Sequence, residues 1–128
     1  MLVPPAVQQQ ILEKAPLVAY APSRLAPGWR YASWRVGDLG ALQIVFRNKA
    51  EREIVFVAAR FGGNCRSGME KSFQMAGVKV YWGHTRNEQQ AWRCVNGRKL
   101  VAATSLPPDR FADVGLARLV ASGHRLRR

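Results

Sequence analysis

Residues 88–105, EQQAWRCVNGRKLVAATS, hold the pattern that decides the predicted fold. Asn96-Gly97 is a dipeptide that readily adopts the positive φ angles of a type I′ turn, and the residues on both sides of it favour strands. We therefore predict a β-hairpin at this point of the chain.

The two-residue turn also sets the register of this hairpin. Trp92 then faces Val101 across the two strands, and Cys94 faces Lys99. Because Trp92 and Val101 are apolar and share one side with Cys94, we expect that side to contact the core. Arg93 is expected on the opposite side.

Length and composition predict one domain over residues 1–128, since 48% hydrophobic residues exclude a disordered chain. No apolar run is long enough for a transmembrane segment. Residues 1–10 lack the basic start and the continuous apolar stretch of a signal peptide. We therefore expect one of two cases. Either the protein is cytoplasmic, or the sequence begins after a signal or anchor that has been removed.

The chain is strongly basic, with 20 Lys and Arg against 8 Asp and Glu and a formal net charge of +12. Such a surface attracts polyanions, and the partners that we expect are an acidic protein, a nucleic acid or an anionic lipid headgroup. An arginine-rich proteome from a GC-rich genome explains the same composition, so both explanations stay open.

Five segments follow from the positions of proline, glycine and apolar residues. They are an N-terminal helix (1–16), an extended arm (17–28), an antiparallel sheet (29–105), a C-terminal helix (108–122) and a basic tail (123–128). Residues 67–75 are expected to form one or two helical turns, with Met69 and Phe73 on one side.

The fold class that these segments predict is α+β. The connections between consecutive strands are too short for parallel crossovers, so the sheet is expected to be a single antiparallel meander of about six strands. Both helices should cover one face of that sheet.

Cys65 and Cys94 do not form a CxxC motif. They are candidates for a disulfide that closes a loop of about thirty residues, and two separate buried thiols are the alternative. A reactive Cys65 in the Gly62-Gly63-Asn64 loop is a further alternative, but no histidine is placed convincingly as its base.

The remaining chemistry-bearing residues predict no catalytic site, cofactor or metal. His84 and His124 have no partners at metal-ligand spacing. The acidic residues fall mostly in turns and at helix ends, where capping and solvation explain them. We therefore do not expect an enzyme.

Arginine and lysine residues interleaved with aromatic residues are the candidate binding groups. Stacking of bases on aromatic rings between cations is one way in which single-stranded nucleic acids are bound. However, Trp34, Trp82 and Trp92 share strand parity with aliphatic residues, which favours their burial. The candidate binding residues are Arg30, Tyr31, Arg35, Arg86, Arg93, Arg98 and Lys99.

Several stretches together resemble a class of small bacterial extracytoplasmic domains of sensor or lipoprotein type, such as the outer domains of anti-sigma factors. These stretches are YAPSRLAPGWRYASWRV, the strands on both sides of NKAERE, the hairpin AWRCVNGRKLVAAT and the helix DRFADVGLARLVAS. The resemblance implies a curved antiparallel sheet, a closing helix and a location outside the cytoplasm. It carries over no catalytic residue.

The leading hypothesis is a non-enzymatic binding or sensor domain outside the cytoplasm, with an anionic ligand or partner. The alternative is a cytoplasmic nucleic-acid-binding protein that uses arginine and aromatic residues on the sheet.

Overall fold

The computed structural model describes residues 2–14, 19–25, 27–105 and 110–127. Over these residues it has two α-helices, α1 (Pro5–Lys14) and α2 (Arg110–Ala121), a seven-stranded sheet and a two-stranded sheet. The predicted α+β class is therefore confirmed. The predicted boundaries at residues 16, 17 and 108 fall outside the described residues.

All strand pairs are antiparallel. In the small sheet, β1 (Tyr20–Ala21) pairs with β9 (His124–Arg125). The large sheet contains β2 (Arg30–Val36), β3 (Leu42–Arg47), β4 (Glu53–Arg60), β5 (Lys71–Met75), β6 (Val78–His84), β7 (Gln89–Val95) and β8 (Arg98–Thr104).

The large sheet has one more strand than the six predicted. The extra strand is β5, in the segment where helical turns were expected, so that expectation is wrong. Lys71, Phe73 and Met75 alternate along β5, and Met75 pairs with Val78 across a tight turn. Ala76 and Gly77 both have positive φ, at 50° and 75°. This turn favours a hairpin over a helix.

The strand order is β2-β3-β4-β8-β7-β6-β5, so the prediction of a single meander is wrong. Two meanders, β2–β4 and β5–β8, meet where β4 pairs with β8. Residues 61–70, which we call the crossover loop, connect them across the ends of β8 and β7. The backbone N–H of Phe61 donates to Gly97 O at 2.9 Å, and the N–H of Glu70 donates to Trp82 O at 2.8 Å.

The Asn96-Gly97 hairpin forms with the predicted register, in which Trp92 pairs with Val101 and Cys94 with Lys99. Trp92 is buried as predicted, with 3% of its surface exposed, but the main core lies on the opposite side of the hairpin. The face that α2 covers carries Leu100, which is fully buried, and its cross-strand partner Arg93. Both sides of β8 are apolar, so alternation alone does not select the side that meets the helix.

The main core lies between α2 and this covered face of the large sheet. Its largest fully buried side chains come from β3, β4, β8 and the two helices. They are Phe46, Phe56, Ile11, Ile44, Leu100, Leu116 and Leu119. Among the described residues, no helix is long and apolar enough to cross a membrane.

The ends of α2 are held by polar contacts to the sheet and arm. Asp113, in the first turn, accepts a charge-assisted hydrogen bond from Lys71 Nζ. The ammonium of Lys71 also lies 4.5 Å from the ring centroid of Trp82. Beyond the helix, Leu126 is buried and its N–H donates to Ala19 O at 2.9 Å. The segment predicted as a basic tail is therefore anchored as far as residue 126.

Candidate functional site

The predicted binding residues do not gather in one place. Arg30 and Arg35 lie on the edge strand β2, where Arg35 Nε donates to Gln43 Oε1 at 2.6 Å. Tyr31 is half-buried opposite Phe46, and burial raises the pKa of its hydroxyl. Arg86 lies exposed in the turn between β6 and β7.

Arg93, Arg98 and Lys99 lie close together in the hairpin but on two different faces. Arg93 is on the covered face, where its Nη2 donates to Gly123 O at 2.6 Å. Arg98 pairs with Arg60 at the end of that same face. Lys99 lies on the opposite face of β8. We call this opposite face the open face and define it by Gln43, Val57, Val101, Trp92 and Tyr81.

Lys99 lies between two aromatic rings on the open face. Its Nζ is 5.0 Å from the ring centroid of Phe61 and 4.9 Å from that of Trp92. Burial lowers the pKa of the Lys99 ammonium below its ordinary value. In the described part of the chain, no carboxylate forms a salt bridge with it.

A cleft of about 180 Å³ opens beside this lysine. We call it the Lys99 cleft. The crossover loop forms one wall and strands β6 to β8 form the other. The polar and aromatic side chains that line it are Ser67, His84, Thr85, Gln90, Trp92 and Lys99.

The disulfide between Cys65 and Cys94 attaches the crossover loop to β7, with a Cα–Cα distance of 6.2 Å. The indole Nε1 of Trp92 donates to Cys65 O at 2.6 Å and makes a second attachment. Gly83 allows the crossover loop to approach β6 closely, because a Cβ at this position would lie 2.5 Å from Gly68 O. The loop therefore approaches the sheet closely enough to bury Trp92 and to form the wall of the cleft.

His84 and Glu70 form a hydrogen bond at the rim, with 2.7 Å between His84 Nδ1 and Glu70 Oε2. A histidine paired with a carboxylate is half of a nucleophile-activating arrangement. No hydrogen bond links Ser67 to His84 in the part of the chain that the structure describes. Cys65 is in the disulfide and is not a free thiol. Among the described residues, this cleft therefore holds no complete set of nucleophile, base and orienting group.

A second and larger cleft, of about 420 Å³, lies between the arm, the β5–β6 turn and the end of α2. We call it the Arg118 cleft. It contains two arginines that were not among the predicted site residues. They lie 94 positions apart in sequence, and no local pattern connects them. The cleft is lined by Ser23, Arg24, Met75, Arg118, Ala121 and Ser122.

Ser122 holds the arm against the end of α2 at this cleft. Its Oγ accepts hydrogen bonds from the backbone N–H groups of Ser23 and Arg24, both at 3.0 Å. The same hydroxyl donates to Leu119 O at 2.7 Å. The backbone on both sides of the cleft is therefore fixed.

Two of the tryptophans are not available for stacking with bases. Trp82 lies on the covered face with 5% of its surface exposed, and Trp92 is 3% exposed beneath the crossover loop. Among the described residues, no group of three or more potential metal ligands is found.

Comparison with protein-family models finds no match for this chain, and comparison with curated proteins finds none either.

Proposed function

We propose that the protein is a non-enzymatic binding domain that acts outside the cytoplasm and recognises an acidic protein partner through the Lys99 cleft. The observation that carries this proposal is the Lys99 ammonium, which lies between Phe61 and Trp92 without a carboxylate partner among the described residues.

A carboxylate that enters the cleft would supply the missing counter-charge. Opposite charges about 4 Å apart attract by about 4 kcal/mol near a protein surface, before desolvation is subtracted. Ser67 and Gln90 line the same cleft. The Ser67 hydroxyl and the second N–H of the Gln90 amide, whose first N–H donates to Glu88 Oε1, offer hydrogen-bond donors to the incoming oxygen atoms.

The size of the cleft favours an acidic side chain of a larger partner over a complete small molecule. Its volume of about 180 Å³ is below the range of about 300–1,000 Å³ that is typical of small-molecule pockets. The open face beside it carries the half-buried residues Val57 and Val101, which suit contact with another protein surface. The net charge of +12 favours rapid association with an acidic partner.

Nucleic acid is the less favoured partner. Sequence-tolerant binding of single strands depends on exposed rings that stack with bases. Trp82 and Trp92 are both buried, so neither ring is available for stacking.

The extracytoplasmic location is supported by the disulfide that shapes the cleft. Disulfides persist mainly in oxidising compartments, and reducing thiol systems remove them in the cytoplasm. The oxidation state of Cys65 and Cys94 in fractionated cells tests this location.

The experiment that tests binding is titration of the purified protein with a hexaglutamate peptide over a series of salt concentrations. We expect Lys99→Gln to weaken binding by about tenfold, equivalent to about 1.4 kcal/mol, because it removes the cation of the cleft. Lys49→Gln is the matched control, since Lys49 is exposed in the β3–β4 loop. It should weaken binding by less than about twofold.

Equal losses in Lys99→Gln and Lys49→Gln would contradict the proposal, because diffuse charge would then account for binding. A single-stranded oligonucleotide that binds more tightly than the peptide, with no sensitivity to Lys99→Gln, would support the nucleic-acid alternative.

A further inference from the structure

We infer that the Arg118 cleft is a second binding site, which takes a small amphiphilic carboxylate with a short aliphatic chain. This inference rests on the proposal that the chain is a binding domain, but it uses no residue of the Lys99 cleft. The two clefts differ in volume, lining and the elements that form them.

The volume of the Arg118 cleft, about 420 Å³, lies within the range of small-molecule pockets. The Lys99 cleft is too small for this role. The larger cleft therefore has room for the head group and several carbons of a ligand.

The positive charges of the two arginines in the cleft favour an anionic ligand. Arg24 and Arg118 both line it, both are exposed, and neither forms a salt bridge with a carboxylate among the described residues. A guanidinium presents parallel N–H donors that match the two oxygens of a carboxylate. An anion in the cleft also relieves the repulsion between two cations on one surface.

The apolar lining residues of the cleft favour an aliphatic chain next to the carboxylate of the ligand. Met75 and Ala121 provide apolar surface next to the arginines. No aromatic side chain lines the cleft in the part of the chain that the structure describes, so it offers no stacking surface for a nucleotide base. A methionine side chain adapts readily to an aliphatic chain. A short fatty-acid-like carboxylate matches both the charged and the apolar parts.

The backbone that carries the site is already fixed. The Ser122 hydroxyl accepts from the N–H groups of Ser23 and Arg24, and Ser23 Oγ donates to Ser122 O at 3.2 Å. These bonds join the arm to the end of α2 and place Arg24 and Arg118 at the same opening. A ligand therefore does not need to order the two segments, which lowers the entropic cost of binding.

The test uses octanoate as the probe, with octanol and inorganic phosphate as comparison ligands. Amide chemical shifts followed by NMR during titration should change in a saturable way around residues 23–24, 75–76 and 118–122. Octanol lacks the charge and phosphate lacks the chain, so we expect both to bind at least about tenfold more weakly.

Arg24→Gln and Arg118→Gln should each weaken octanoate binding at least about fivefold, and Arg118→Lys should recover part of the loss. Both arginines are exposed, so we expect these variants to fold. Arg52→Gln, in the exposed β3–β4 loop, is the control and should change binding by less than about twofold.

Several results would overturn the inference. These are the absence of saturable shifts, equal weakening by Arg52→Gln, or phosphate binding as tight as that of octanoate. If octanoate fails while Lys99→Gln still weakens hexaglutamate binding, only this inference is lost. If octanoate binds as expected while Lys99→Gln and Lys49→Gln have equal effects on hexaglutamate, only the proposed role of the Lys99 cleft is lost.

Discussion

Arg93 joins β7 to the residue that follows the last turn of α2, through the 2.6 Å bond from Nη2 to Gly123 O. Desolvation lowers the pKa of its guanidinium, and the nearby Tyr20 acts in the opposite direction. A cation near the C-terminal end of a helix is stabilised by the backbone carbonyls that have no partner within the helix. These contacts assign Arg93 a structural role.

We expect Arg93→Gln to lower the free energy of unfolding by about 1.5–3 kcal/mol, the usual range for a hydrogen bond to a charged group. Urea denaturation measures this loss. Arg86→Gln is the control, because Arg86 is exposed in a turn, and it should change stability by less than about 0.5 kcal/mol.

The same variant tests whether Arg93 also binds an anion. Folded Arg93→Gln should bind hexaglutamate within about twofold of the unchanged protein, because its guanidinium faces α2 rather than the Lys99 cleft. Strong loss of binding with unchanged stability would contradict the structural role.

At the residue scale, the Cys65–Cys94 pair could be predicted, because two isolated cysteines stand out in the sequence. The position of Lys99 between Phe61 and Trp92 could not, because neither ring lies next to it along the chain. The side of the hairpin that meets the main core was predicted wrongly. Leu100 and Val101 are both apolar, and only the position of α2 decides which one enters the main core. Trp92 is buried on the other face, beneath the crossover loop.

The crossover loop is the element that forms both the Lys99 cleft and the cover over Trp92. Its disulfide joins residues separated by 29 positions. In the chain-entropy account, a loop of this length contributes about 3–4 kcal/mol of stability by restricting the unfolded chain.

The double variant Cys65→Ser, Cys94→Ser should therefore lose about 3–4 kcal/mol of unfolding free energy. Measurement is by urea denaturation of the oxidised protein, the reduced protein and the double variant. The reduced protein and the double variant should agree, and both should bind hexaglutamate more weakly at the Lys99 cleft. Equal stability of all three proteins would show that the loop is held by other contacts.

The strand β5 shows why an element can be missed. Its five residues, KSFQM, alternate weakly, and the glycines around them suggested an interrupted helix. The decisive feature is the Ala76-Gly77 turn, which aligns Met75 with Val78. Alanine rarely adopts positive φ, so this turn lacks the usual Asn-Gly signal.

At the scale of the whole molecule, the α+β class followed from strand alternation and two flanking helical segments. The strand order did not follow, because β4 and β8 are apolar on both sides and nothing local specifies that they pair. The Arg118 cleft was missed for a similar reason. Arg24 and Arg118 come together only when the arm is joined to the end of α2.

The proposed location concerns the whole protein and its compartment. In cells fractionated with thiols trapped by alkylation, we expect the protein in the extracytoplasmic fraction, with Cys65 and Cys94 protected from the reagent until reduction. Non-reducing mass spectrometry measures the modification. Two freely alkylated cysteines in a cytoplasmic fraction would overturn the proposed location.

The crossover loop also divides the polypeptide into two complementary parts. A single cut after the exposed Arg66 would leave β2–β4 on one piece and β5–β8 on the other, and no strand would be interrupted. Cys65 would be the second-to-last residue of the first piece and Cys94 would lie in the second, so the disulfide would keep the pieces in one covalent molecule. The β4–β8 pairing would then be an interface between two polypeptides. The domain would be a split protein whose two pieces are linked by the Cys65–Cys94 disulfide.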